Sequence, residues 1–118
     1  MDSQDIPGLP KEAVLLRIYT SERKKFGHAP LFEAIVTKAL EMGLAGATVL
    51  RGPLGYGHSS RIHTAKILDL SNDLPVVIEI AESQARIDAF LPVLDGMIGK
   101  GLVTLEKIQV LHYGPRAG

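Results

Sequence analysis

Apolar residues recur along this chain with two different rhythms. Ala13-Val-Leu-Leu-Arg-Ile-Tyr-Thr20 is apolar and β-branched, which predicts a strand. Val14, Leu16 and Ile18 then project to one side, and Leu15, Arg17 and Tyr19 to the other. Residues 21–29 are charged and contain glycine, so they read as a loop. Pro30 suits the first turn of a helix, where its missing N–H costs nothing. Leu31, Phe32, Ile35, Val36, Ala39 and Leu40 follow at helical spacing, with Glu33, Thr37, Lys38 and Glu41 opposite. Gly43 is placed to end that helix. A second strand is expected over Ala45–Arg51 and a third over Pro75–Ala81. Residues 58–74 show no firm period, and Thr64–Leu70 fits a short strand or a helical turn equally well. Ser83 is a suitable N-cap for a second helix carrying Ile87, Phe90, Leu91, Leu94 and Ile98 on one stripe. Pro92 should kink or shorten it, and Gly99-Lys100-Gly101 should end it. Leu102–Leu105 and Lys107–Tyr113 form a last extended segment, with a break or bulge expected near Glu106.

The order β-α-β-β-α-β predicts an α+β ferredoxin-like sandwich. Both helices would cover one face of a four-stranded, mostly antiparallel sheet. The expected organisation is a flexible segment over 1–12, the domain over 13–113 and a flexible tail over 114–118. The uncovered sheet face should hold Leu15, Arg17, Tyr19, Val77 and Glu79, joined by Leu111 and Tyr113. It is too apolar to face water, so a second copy of the chain is the simplest cover. Arg17 and Glu79 could pair across that interface.

Composition narrows the classes of function. A chain of 118 residues makes one domain. The lack of cysteine removes disulfides, thiolate metal sites and a cysteine nucleophile. Residues 1–12 have neither the basic nor the apolar region of a signal peptide. No apolar run approaches the roughly 20 residues of a membrane span, so a cytoplasmic protein without direct membrane insertion is expected. Basic and acidic residues balance at 13 each, which argues against a nucleic-acid partner. Arg23-Lys24-Lys25 reads as a solvated loop.

The most distinctive stretch is Gly46-Ala-Thr-Val-Leu-Arg-Gly-Pro-Leu-Gly-Tyr-Gly57, a strand running into a glycine-rich corner. Glycine can take positive φ and lets other groups approach the backbone, and amide N–H groups exposed there can hold an anion. His58-Ser-Ser-Arg-Ile-His63 follows. The stretch is neither a Walker A loop nor a dinucleotide fingerprint, and glycine clusters of this kind are more often plain turns than phosphate cradles.

Tyr19, Pro30-Leu-Phe-Glu-Ala-Ile35, Gly43-Leu-Ala-Gly-Ala-Thr-Val-Leu-Arg-Gly52, Gly55-Tyr-Gly57, Asp73-Leu-Pro-Val-Val-Ile-Glu79 and Gly101-Leu-Val-Thr-Leu-Glu106 together resemble a small prokaryotic group of PII-like signalling proteins. The resemblance spans residues 13–113. It implies a homotrimer with its sheets facing inward, related to nitrogen regulatory PII proteins that sense nucleotides and act on enzymes or transporters. It places a nucleotide between neighbouring subunits, at two glycine elements. The first is matched by Arg51, Gly52, Gly55, Tyr56 and Gly57, followed by His58 and Arg61. The second is matched by Gly99, Lys100 and Gly101. Leu102 stands where classical PII proteins have a lysine, so AMP or ADP is expected as effector rather than ATP. No cofactor is required. The segment 58–74 contains no tyrosine that could accept a uridylyl group. It is expected to be the least ordered internal stretch and to contact an unidentified target.

Two alternatives share the fold. One is a trimeric divalent-cation-binding protein of the cation-tolerance type. His28, His58, His63 and His112 lack helical ligand spacing, although His58 and His63 share a loop. The other is a small oligomeric enzyme, but no catalytic set is legible, and Thr20-Ser-Glu-Arg-Lys24 stands where acylphosphatases carry their glycine-rich loop. RNA recognition by stacking on the central strands fails because Val76–Ile80 has no aromatic residue.

Overall fold

The alternation in the first strand is realised as β1 (Glu12–Ser21), which bears Val14, Leu16 and Ile18 buried on one face. The computed structural model describes residues 9–56, 63–64 and 73–114. After β1 come β2 (Lys25–Phe26), β3 (Ala29–Pro30), α1 (Leu31–Glu41), β4 (Thr48–Arg51), β5 (Leu54–Gly55), β6 (His63–Thr64), β7 (Pro75–Glu82), α2 (Gln84–Ile98) and β8 (Leu102–Gln109). The main sheet has the order β4-β7-β1-β8, and each neighbouring pair is antiparallel. This is the ferredoxin-like arrangement.

Residues paired across antiparallel strands share a face. Leu16 therefore lies beside Ile80 and Leu105, and Ile18 beside Ile78 and Val103. That face packs on Leu31, Ile35 and Ala39 of α1 and on Ile87, Phe90 and Leu94 of α2. Arg17 opposes Glu79 and Thr104 on the other face, and Tyr19 opposes Val77 and Leu102.

Gly43 takes a φ of +75°. Its N–H donates to Leu40 O while the Leu44 N–H donates to Ala39 O, the paired bonds of a Schellman ending. Leu44 is buried beside Ala39 in the core, which fixes the exit of the chain from α1. Ser83 caps α2, its hydroxyl accepting the Arg86 N–H at 3.3 Å.

Several expectations change. Pro30 is the N-cap of α1 rather than a first-turn residue. Leu40 is 77% exposed and does not join the core. The 21–29 region holds the small β2–β3 pair. The second strand starts at Thr48 instead of Ala45. Helix α2 runs through Pro92 for 15 residues. A proline inside a helix costs about 3 kcal/mol, but Ile87, Phe90 and Leu94 bury apolar area on both sides of it, and packing decides. β8 pairs with β1 without interruption, so no break occurs at Glu106. As an edge strand largely exposed on both faces, β8 has no need of a strict apolar alternation. It ends at Gln109. Leu111 then stands 89% exposed, and Tyr113 donates its hydroxyl hydrogen to Ala45 O at 2.9 Å.

Candidate functional site

Both glycine elements lie at one end of the sheet. Antiparallel pairing brings the C-terminal ends of β1 and β4 together with the N-terminal ends of β7 and β8. Gly52–Tyr56 continues from β4, and Gly99–Gly101 links α2 to β8. β4 and β8 are opposite edges of the sheet, with β7 and β1 between them. Three interstrand spacings separate the two elements by roughly 14 Å. Within one chain the two corners share an end of the sheet and do not meet.

The first corner is tightly built. Gly52 N–H donates to Pro75 O at 2.8 Å, so this amide is already committed to the protein. A Cβ on Gly52 would stand 3.0 Å from Pro75 Cγ, and one on Gly55 3.3 Å from the same atom. Neither glycine has positive φ. Their lack of a side chain serves packing on Pro75 rather than an unusual backbone, which corrects the expectation drawn from conformational freedom. Leu54 and Gly55 pair with Thr64 and His63, and Tyr56 is 73% exposed. Arg51 lies on the edge strand with its Nε 2.5 Å from Glu22 Oε2. Gly57, His58 and Arg61 lie outside the described residues, as does most of the 58–74 stretch.

At the second corner Gly99 has a φ of +58°, a conformation that favours glycine. Lys24 Nζ donates to Lys100 O at 2.5 Å. The Arg23 N–H donates to Asp73 Oδ1 at 2.6 Å. The basic run is thus docked at the end of the sheet that carries both corners, and is more than a solvated loop. Glu22 and Lys24 were missed by sequence reasoning because their partners lie far along the chain, and no local motif marks such contacts.

On the open face, Arg17 Nε is 3.0 Å from Glu79 Oε2, and its Nη1 is 2.5 Å from Glu106 Oε1. The two carboxylates, Glu79 first, hold the guanidinium above its ordinary pKa. Arg17 therefore pairs with Glu79 inside one chain, contrary to the expected contact across an interface. Glu82, on the helix face, is the buried charged residue of the core. Its carboxylate accepts the Ala45 and Ser83 N–H groups, each at 2.7 Å, and lies 3.8 Å from Arg86 Nη1. Arg86 also donates to Gly43 O. This network joins the end of α1 to the start of α2, so it reads as structural.

No cluster of three or more His, Cys, Asp or Glu side chains occurs among the described residues. No described helix is long and apolar enough to cross a membrane.

A family model, DUF190 (Uncharacterized ACR), matches residues 13–110. The chain belongs to the DUF190 family. A UPF0166 protein of Aquifex aeolicus is 41% identical over 98 residues, covering 83% of this chain and 92% of the relative. A UPF0166 protein of Methanocaldococcus jannaschii is 33% identical over 100 residues, covering 84% and 92%. Among solved structures, CPII of Thiomonas intermedia K12, a nitrogen regulatory PII-like protein bound to ADP, AMP and bicarbonate, superposes with a TM-score of 0.57. It is 19% identical, with 84% of this chain and 88% of that chain covered. A candidate PII-like signaling protein of Thermus thermophilus gives a TM-score of 0.59 at 17% identity, covering 87% and 91%. At such identities the likeness concerns the fold, and the fold of this DUF190 protein is that of PII-like proteins.

Proposed function

We propose that this DUF190 protein is a PII-like regulator that binds an adenine nucleotide, ADP or AMP in preference to ATP, in clefts between the subunits of a homotrimer. The observation that carries the reading is the placement of the two glycine corners. They sit at the same end of the sheet, on opposite edges, too far apart for one phosphate group to touch both. If the β4 edge of one copy lies against the β8 edge of the next, they are brought together.

Each edge has apolar surface suited to such a contact. Leu50 and Leu54 are exposed at and just after β4, and Leu102 and Leu105 on β8. The open sheet face adds Tyr19 and the partly covered Val77. A head-to-tail contact of this kind forms a ring when the rotation between neighbours closes, as a homotrimer requires. The nucleotide-bound CPII structure shares the fold and supports the ligand class.

In this reading Arg51 and the backbone around Gly55 and Gly57 meet the phosphates from one subunit. Lys24, Lys100 and the Gly99–Gly101 backbone meet them from its neighbour, with Tyr56, His58 and Arg61 close to the ligand. Charged donors on phosphate give the stronger class of hydrogen bond. Occupancy would be passed to a target protein, an enzyme or a transporter, through residues 58–74.

Calorimetric titration with AMP, ADP and ATP tests this. Saturable binding is expected, with ATP the weakest of the three. Absence of heat from all three at millimolar concentration would end the nucleotide reading.

A further inference from the structure

Glu22 touches both sides of the point where the 57–72 segment leaves and rejoins the sheet. The chain leaves through Arg51 and Gly52 and returns through Asp73, Leu74 and Pro75. The Glu22 carboxylate holds Arg51 Nε at 2.5 Å, while the Glu22 N–H donates to Leu74 O at 2.8 Å. The next residue, Arg23, donates its N–H to Asp73 Oδ1, and Gly52 donates to Pro75 O. One residue thus links the outgoing arginine, through its carboxylate, to the returning stem, through its backbone N–H.

Carboxylates and phosphates compete for the same guanidinium donors. While Glu22 holds Arg51, a phosphate brought to that arginine would lie beside a like charge. The side chains of Arg51 and Glu22 are 54% and 31% exposed. Ion pairs this open to solvent contribute little, so a multiply charged phosphate can displace the carboxylate.

We propose that Glu22 is an internal competitor for the phosphate of the effector. Its carboxylate competes with the phosphate for Arg51, occupying that guanidinium in the free chain and releasing it on binding, which lowers affinity. The inference rests on the nucleotide reading above and adds a residue that regulates that site.

The test is a double-mutant cycle read by ADP titration. Glu22→Gln should bind ADP roughly three- to five-fold more tightly than the wild type, the scale of an exposed ion pair. Glu22→Ala, which leaves no group able to replace the carboxylate, should show the same gain. Arg51→Ala should bind about ten-fold or more weakly, as for a lost charge-assisted bond to phosphate. In the Arg51→Ala background, Glu22→Gln should have less than about two-fold effect, since the competitor then has nothing to occupy. Matching thermal melts would confirm that the variants fold alike. If the wild type binds ADP while both Glu22 variants bind it equally or more weakly, the competitor role is wrong and the nucleotide site stands. A gain of the same size without Arg51 would equally overturn it, showing general charge repulsion. Failure of wild type and variants alike to bind ADP would overturn both readings together.

Discussion

At the scale of single residues, the charged groups with the clearest structural roles are those whose partners lie far away in sequence. Glu82 is buried, and its carboxylate takes two backbone N–H groups from different elements. Glu82→Ala would leave those donors without that acceptor in a poorly solvated place. A loss of about 2–4 kcal/mol is expected, since each such bond to a charged acceptor contributes about 1.5–3 kcal/mol and nearby water recovers part of it. Urea denaturation at fixed protein concentration would measure this. A change under about 0.5 kcal/mol would show that the network is dispensable. None of this was legible beforehand, because Glu82 and Ala45 are 37 positions apart. Distance along the chain likewise hid the hold of Glu22 on Arg51. What the sequence did reveal was a corner after the second predicted strand, because glycine clusters are visible without knowing their neighbours. The reason for Gly52 and Gly55, close packing on Pro75, required the fold.

Elements were most legible where periodicity and end signals agreed. β1 showed a clear alternation, and α1 and α2 each combined an apolar stripe with a cap or a glycine stop. Gly43 shows how specific such a stop is. With φ at +75° and the Schellman bonds in place, Gly43→Ala should destabilise the fold by about 1–2 kcal/mol, the cost of a left-handed backbone for a residue with a Cβ. A thermal melt unchanged from wild type would contradict that conformation. The misreadings fall where local rules compete with packing. Pro92 is overruled by the buried residues on either side of it. β8 escapes alternation because its edge position leaves both faces exposed. Leu40 fits the helical stripe by spacing yet remains exposed, outside the core that Leu31, Ile35 and Ala39 build.

For the whole molecule, the proposed trimer would cover the open face of the sheet. Tyr19 lies on that face beside Val77 and Leu102. Tyr19→Glu would bury an unpaired charge in a trimer, a change that costs about 3–5 kcal/mol when no partner is supplied. Sedimentation should show the wild type as a trimer at micromolar concentration and the variant largely dissociated. A monomeric wild type would remove the basis for a shared site.

The central claim is that the nucleotide site is completed by a neighbouring subunit, and subunit mixing tests it most directly. One chain carries Arg51→Ala, which cripples the first corner. The other carries Lys24→Ala with Lys100→Ala, which cripples the second. In a head-to-tail ring, either homotrimer has three damaged sites, whereas a mixed trimer has one interface with both corners intact. Co-refolded mixtures titrated with ADP are therefore predicted to regain tight binding, at about one site per mixed trimer, that neither variant shows alone. A mixture that binds no better than the average of its two components would contradict the claim and return the site to a single chain.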